Sequence, residues 1–187
     1  MNVYDFDGTL YSGDSTFDFM RWLMKRYPKV LARLPYIAKE FARYRMKKQT
    51  KTVFKEKLYR VFTLVPDMEN EVALFWESHL KKLKNYYQTT KKADDMVISA
   101  SAEFLILPAC ETLGIKRVLG SVVDMKTGKY TGVNCHGEEK IRRLREVTDE
   151  KIDEFYSDSH ADDPLAGIAE KAWMVKGEKL VKWPFRK

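Results

Sequence analysis

The chain has 187 residues, 44% of them apolar and 13% aromatic, which is enough for one ample core and too apolar for a disordered segment. Its formal charge of +7 suits anionic partners such as phosphorylated metabolites, anionic lipid or nucleic acid, although a solvated helix face accounts for such charge as well. The two cysteines, Cys110 and Cys135, are too few for a disulfide framework and lack metal-ligand spacing, and no apolar stretch approaches bilayer-spanning length, so a cytoplasmic chain with two buried thiols is expected.

Val3 to Leu10 reads Val-Tyr-Asp-Phe-Asp-Gly-Thr-Leu, an apolar strand running into a glycine turn. Alternate side chains of an extended segment share a face, so Asp5 and Asp7 lie close together, and like charges at that range repel unless a cation or chemistry requires them. By itself the pattern also fits a strand that ends in a plain Asp-Gly turn. Helical spacing follows, first over Phe17, Met20, Met24 and Tyr27, then over Leu31, Leu34, Ala38 and Phe41. Pro28 marks a helix start and Pro35 a kink or break. A third helix is expected around Phe54, Leu58, Val61 and Phe62, and a fourth from Pro66-Asp67 through Met68, Val72, Phe75, Trp76, His79, Leu80 and Leu83. Residues 14–90 thus read as an all-helical block, and the stretch from Arg21 to Arg60 carries about a dozen positive charges in excess.

From Met96 onward, strand and helix alternate, which implies a parallel sheet. Met96-Val97-Ile98 is a buried strand, Ala102 to Leu113 a helix and Arg117 to Val123 a strand. Lys126 to Gly132 reads as a hairpin, Glu138 to Val147 as a helix, Phe155-Tyr156 as a last core strand, and Ala172 to Val175 as an edge strand. The chain therefore divides into an α/β unit, residues 1–13 and 91–187, with the helical block 14–90 inserted into it.

Three further places carry polar groups suited to chemistry. Ser99 and the adjacent amides of Ala100 and Ser101 lie at the carboxyl end of a strand, where open α/β sheets bind ligands, although a serine there also serves as a helix N-cap. Tyr156-Ser157-Asp158-Ser159-His160-Ala161-Asp162-Asp163 is a strand followed by an acidic loop whose hard oxygens suit Mg²⁺; Asp162 or Asp163 could instead cap a helix starting near Pro164. Lys140 opens an amphipathic helix, where a lysine is ordinarily solvated surface. His79, His136 and His160 are too scattered for a zinc site, and no Walker loop occurs.

Taken in order, Asp5-Phe6-Asp7-Gly8-Thr9, Ser99, Lys140, and Asp158 with Asp162 resemble the four motifs of the haloacid dehalogenase superfamily. The helical insert between the first two, with Val97-Ile98-Ser99-Ala100-Ser101, is similar to the C1-capped, phosphoserine-phosphatase-like class. The resemblance implies a Rossmann-like α/β core with a central parallel sheet and a helical cap. It also implies a Mg²⁺-dependent phosphatase in which Asp5 is the nucleophile and forms an aspartyl-phosphate, and Asp7 is acid and then base. Asp5, the Asp7 carbonyl and Asp158 would hold the metal with Asp162 supporting metal or lysine from nearby, while Ser99, Ala100, Lys140 and the Gly8 and Thr9 amides would bind the transferring oxygens.

Against phosphoserine phosphatases, Asp14 stands in place of a substrate-binding glutamate, Ala161 replaces an asparagine and the glycine pair after Ser99 is missing. Phosphoserine is therefore not the expected substrate, and because no membrane span exists the expectation is another soluble phosphometabolite. The acidic loop and basic helices also resemble bacterial phosphatidylglycerophosphate phosphatases, which gives the alternative of a phospholipid-headgroup phosphatase. Such an enzyme would sit peripherally at the inner membrane surface through Trp22, Tyr27, Tyr36 and neighbouring basic residues. A non-catalytic anion or nucleic-acid binding protein is the remaining reading, disfavoured because no nucleic-acid motif accompanies the charge.

Overall fold

The computed structural model describes residues 1–185. Its centre is a six-stranded sheet of β1 (Asn2–Tyr4), β2 (Met96–Ala102), β3 (Arg117–Ser121), β4 (Glu154–Ser157), β5 (Lys171–Lys176) and β6 (Lys179–Lys182), in the order β3-β2-β1-β4-β5-β6. All neighbours are parallel except β5 and β6, which form an antiparallel hairpin. The strand expected over Ala172 to Val175 is β5 and lies inside the sheet; the edge belongs to β6, whose Lys-Leu-Val-Lys is too short and too charged to stand out in sequence. The strand order reverses direction on either side of β1, so the loops after β1, β2 and β4 meet at one end of the sheet, the usual ligand crevice of open α/β folds.

Between β1 and β2 the chain is helical: α1 (Ser15–Arg26), α2 (Pro28–Leu31), α3 (Leu34–Arg45), α4 (Lys51–Tyr59), α5 (Met68–His79) and α6 (Tyr87–Thr90), with short 3₁₀ turns at Arg60–Leu64 and Leu80–Lys82. Pro28 and Pro35 each sit in a first helical turn, where their missing N–H costs nothing, so the break falls before Leu34 and Pro35 lies in the first turn of α3. After β2 come α7 (Glu103–Leu113), α8 (Glu138–Val147) and α9 (Asp163–Ile168). One hydrophobic cluster runs from sheet to helical block, joining Tyr4, Phe6 and Val97 to Phe19, Phe62, Phe75 and Trp76. A smaller one, around Val3, Ile98, Leu144, Phe155 and Trp183, backs the other face of the sheet.

The two ends of the helical block are stitched together. Ser12 N donates to the Lys82 carbonyl at 2.8 Å and Lys84 N to the Leu10 carbonyl at 2.8 Å, with Tyr11 bridged to Leu83 between them. Two aromatics expected at a membrane face turn inward instead. Trp22 Nε1 and Tyr27 OH both donate to the buried Glu71, at 2.9 Å each, because that carboxylate needs partners that Arg26 alone does not complete. Cys110 and Cys135 are buried free thiols. Among the described residues no helix is long and apolar enough to cross a membrane.

Candidate active site

Asp5, Asp7, Gly8, Asp14, Ser99, Ala100, Lys140, Asp158 and Asp162 line one cavity of about 360 Å³ at the carboxyl ends of β1, β2 and β4. Asp5 follows β1 directly and its backbone stays in register with β4, donating to the Tyr156 carbonyl at 2.9 Å. Its Oδ1 accepts from Lys140 Nζ at 2.9 Å, and the same ammonium reaches Asp162 Oδ1 at 2.7 Å. Asp162 Oδ2 takes the Ser157 hydroxyl at 2.7 Å. Burial pushes the Asp5 carboxyl up to about 7 against the pull of Lys140. Lys140 is raised too: burial alone would lower it, but Asp5 and Asp162 together hold it protonated.

Asp7 is fixed by two donors. Ser15 N reaches its Oδ1 at 2.7 Å and the Ser101 hydroxyl its Oδ2. Its carboxyl is raised by burial and by Asp14, and these hydrogen bonds oppose the rise. Asp14 caps α1, accepting from Phe17 N at 3.0 Å, and also lines the cavity. β2 runs to Ala102 through an irregular register after Ile98, so Ser99 belongs to the strand end, and α7 is not capped by it. Ser99 Oγ accepts from Ser101 N at 3.2 Å, leaving its own proton free to donate into the cavity.

Gly8 lies in the left-handed region at φ +72°, and a Cβ there would stand 2.0 Å from Asp158 Oδ2, so the absent side chain is what lets Asp158 lean over the β1 turn. Thr9 Oγ1 accepts from Asp158 N at 3.0 Å and pins that loop. The Gly8 and Thr9 amides, expected to face a phosphate, are spent inside the turn on the carbonyls of Gly13 (2.9 Å) and Phe6 (3.2 Å). Asp162 supports the lysine, bonded to Lys140 and Ser157, and although it holds the N-cap position of α9, its side chain makes no capping bond.

The donor set suits a divalent cation of the hard class. Asp5 and Asp158 are carboxylates at the ends of neighbouring strands and both line the cavity. Among the described residues no three His, Cys, Asp or Glu side chains converge as a ready-made cage. A cation would therefore draw its remaining ligands from backbone carbonyl, water and substrate oxygens, the habit of Mg²⁺ at phosphoryl-transfer sites.

Several residues here were not picked out from sequence. Lys55, 7% exposed on α4, sends Nζ to the Ala100 carbonyl at 3.0 Å, and Lys51, one turn earlier, lines the same cavity with His136. Burial lowers Lys55, with Asp7 and Asp14 opposing, and burial and Lys51 lower His136. Lys84, returning from the helical block, places Nζ on the Gly8 carbonyl, and burial lowers it against the charges of Asp158 and Glu178.

A sequence model described as haloacid dehalogenase-like hydrolase matches residues 3–167. Protein CicA of Caulobacter vibrioides is 28% identical over 186 residues, covering 90% of this chain and 82% of that protein. A histidinol-phosphatase of Neisseria meningitidis is 31% identical over 111 residues, about half of each chain. In three dimensions, a protein of unknown function from Bordetella pertussis superposes with a TM-score of 0.76 at 17% identity, over 92% of this chain and 87% of that one.

Proposed function

The chain belongs to the haloacid dehalogenase-like hydrolase family, and on that premise we propose that it is a phosphatase, hydrolysing the phosphate monoester of a small soluble metabolite through an aspartyl-phosphate on Asp5. The observation that carries this reading is the buried Asp5–Lys140–Asp162 chain of charges, opening with Asp7 into one cavity. Lys140 and Ser157 saturate Asp162, and Lys140 holds one oxygen of Asp5, so the nucleophile is oriented with its other oxygen available. The half that resembles the chain in the histidinol-phosphatase adds support from a relative of that activity.

In the first half-reaction the Asp5 oxygen forms a bond to phosphorus while the bond from phosphorus to the leaving oxygen breaks. Asp7, whose carboxyl is raised by burial and by Asp14, gives its proton to that oxygen. In the second half, Asp7 takes a proton from water as the water oxygen bonds to phosphorus and the Asp5–phosphorus bond breaks, freeing phosphate and Asp5. The Ser99 hydroxyl and Lys140 offer donors to the equatorial oxygens, whose charge is greatest in the transition state. A Mg²⁺ held by Asp5, Asp158 and the Asp7 carbonyl would supply charge neutralisation at the phosphoryl group.

The helical block acts in this reading as the cap. It brings Asp14, Lys51 and Lys55 over the cavity beside His136, so the leaving group meets a mainly cationic wall and carries anionic or polar substituents. The test is phosphate release from sugar phosphates, phosphoamino acids, nucleotides, lipid phosphates and a generic aryl phosphate, with Mg²⁺ and with chelator. Release from a soluble ester that chelator abolishes is expected; no release from any ester at saturating Mg²⁺ would overturn the proposal. Release from lipid phosphate alone would move the substrate to an anionic headgroup.

A further inference from the structure

Residues 21–60 hold 14 of the chain's 34 Lys and Arg and only 2 of its 27 Asp and Glu, so the rest of the protein is acidic and the positive charge is confined to α1–α4. Ion pairs account for three of those cations, Arg26 with Glu71 and Arg43 and Lys57 with Glu40. Lys51 and Lys55 face the cavity. Of the remaining nine, Lys29, Arg33, Lys39, Arg45, Lys47 and Lys48 lie on α2, α3 and the turns beside them.

α3 rests on α4 through one stripe, Ile37 and Glu40 buried and Tyr44 half-buried, with Tyr44 stacked on Phe54 at 5.6 Å. That stripe satisfies the packing need of a surface helix. Yet Leu34, Ala38 and Phe41, at i, i+4 and i+7, form a second apolar row that is exposed, Leu34 at 46% and Phe41 at 41%. Leu31 extends the row at one end at 50% and Met46 at the other at 56%. Around the row stand the exposed Lys29, Arg33, Lys39, Arg45, Lys47 and Lys48. Beside it a groove of about 350 Å³ is lined by Arg33, Tyr36 and Arg60, room for a headgroup phosphate.

We propose that the outer face of α2 and α3 is a docking surface for an anionic phospholipid bilayer. Charge complementarity selects an anionic partner, and the apolar row selects lipid over nucleic acid, because a phosphate backbone rewards the lysines and arginines but gives Leu31, Leu34 and Met46 nothing to bury against. The surface differs from the aromatic set legible in sequence, since Trp22 and Tyr27 are bound to Glu71. α4 lies between the two functions, turning Phe54 and Lys57 toward α3 and Lys51 and Lys55 toward the cavity. The inference does not depend on the phosphatase reading.

The experiment is co-sedimentation of the full chain with phosphatidylglycerol–phosphatidylcholine vesicles, with phosphatidylcholine vesicles and, in competition, with tRNA. Binding to the anionic vesicles only, weakened by salt, is expected. The double substitution Leu34→Ser with Met46→Ser should weaken vesicle binding at least about tenfold, and Lys39→Glu with Arg45→Glu should abolish it, with melting temperature and aryl-phosphate turnover unchanged in both because none of the four packs in the hydrophobic core or lines the cavity. Failure to bind anionic vesicles overturns the proposal. So does vesicle binding that the apolar pair leaves unchanged while tRNA competes fully, which would mark a polyanion surface.

Discussion

Replacing Gly8 by alanine tests the geometry of the site without removing a polar group. Two costs arise and they separate. Holding an alanine at φ +72° costs about 1–2 kcal/mol, which lowers the melting temperature of a chain of this size by about 2–8 °C. The new Cβ would stand 2.0 Å from Asp158 Oδ2, whereas real Cβ atoms stay beyond 3.0 Å, so the carboxylate must retreat by at least 1 Å. A displacement of that size at a reacting centre costs about 100-fold in turnover. Gly114 is the control: it ends α7 at φ +82° with nothing within 4 Å of a Cβ, so Gly114→Ala has the backbone cost without the collision. Melting curves and phosphate release should show both variants destabilised alike and only Gly8→Ala inactive. Near-native turnover in Gly8→Ala, or an equal loss in Gly114→Ala, would refute the assignment of Asp158 to the reaction.

Ser101→Ala removes a hydrogen bond that favours ionised Asp7, so Asp7 holds its proton to higher pH and the alkaline limb of the rate profile moves up; Asp14→Asn keeps the cap of α1 but removes a charge that favours protonated Asp7, and moves that limb down. Limbs moving together would show that Asp7 is not the acid. In chelator, the Asp5 carboxyl raised to about 7 makes the folded state bind more protons than the unfolded one between the ordinary value of 3.8 and about 7, so stability falls as pH rises through that window. Asp5→Asn should flatten that fall in melting temperature while abolishing phosphate release, and an unchanged slope would count against the raised carboxyl. Lys84→Met frees the Gly8 carbonyl and withdraws a cation facing Asp158, so turnover falls and Lys84→Arg restores part of it; native rates in the Met variant would make Lys84 a bystander.

The parts of the site legible in sequence are those fixed by local pattern. Asp5 and Asp7 alternate at a strand end followed by glycine, and Asp158 follows a short apolar strand, so backbone geometry alone sets them at the sheet's carboxyl edge. Lys140 was separable from surface lysines only by its place in the ordered motifs. Lys55 and Lys84 had no such aid. Each sits in a run, Lys51 to Lys57 and Lys81 to Lys84, where one lysine turns inward because of packing between distant elements, α4 over the β2 loop and the return segment over the β1 turn. The fate of the Gly8 and Thr9 amides was hidden for a related reason, since Gly13 and Phe6 capture them through the closure of a loop whose conformation no periodicity encodes.

Charge balance explains why the cavity draws on so many separate parts of the chain. Burying a carboxylate is costly unless it is paired and hydrogen-bonded, and the cavity gathers Asp5, Asp7, Asp14, Asp158 and Asp162. α8 answers one oxygen each of Asp162 and Asp5 through Lys140, Ser157 takes the other oxygen of Asp162, and the β2 end with the start of α1 answers Asp7 through Ser101 and Ser15. α4 sets Lys55 near Asp7, and the return segment sets Lys84 near Asp158. On the proposed reading, a nucleophile that is costly to ionise despite a lysine at 2.9 Å suits a ligand that brings positive charge and an oxyanion together better than it serves maximal stability. The sheet order makes that arrangement possible, because only the reversal at β1 lets loops from β1, β2 and β4 contribute to a single point.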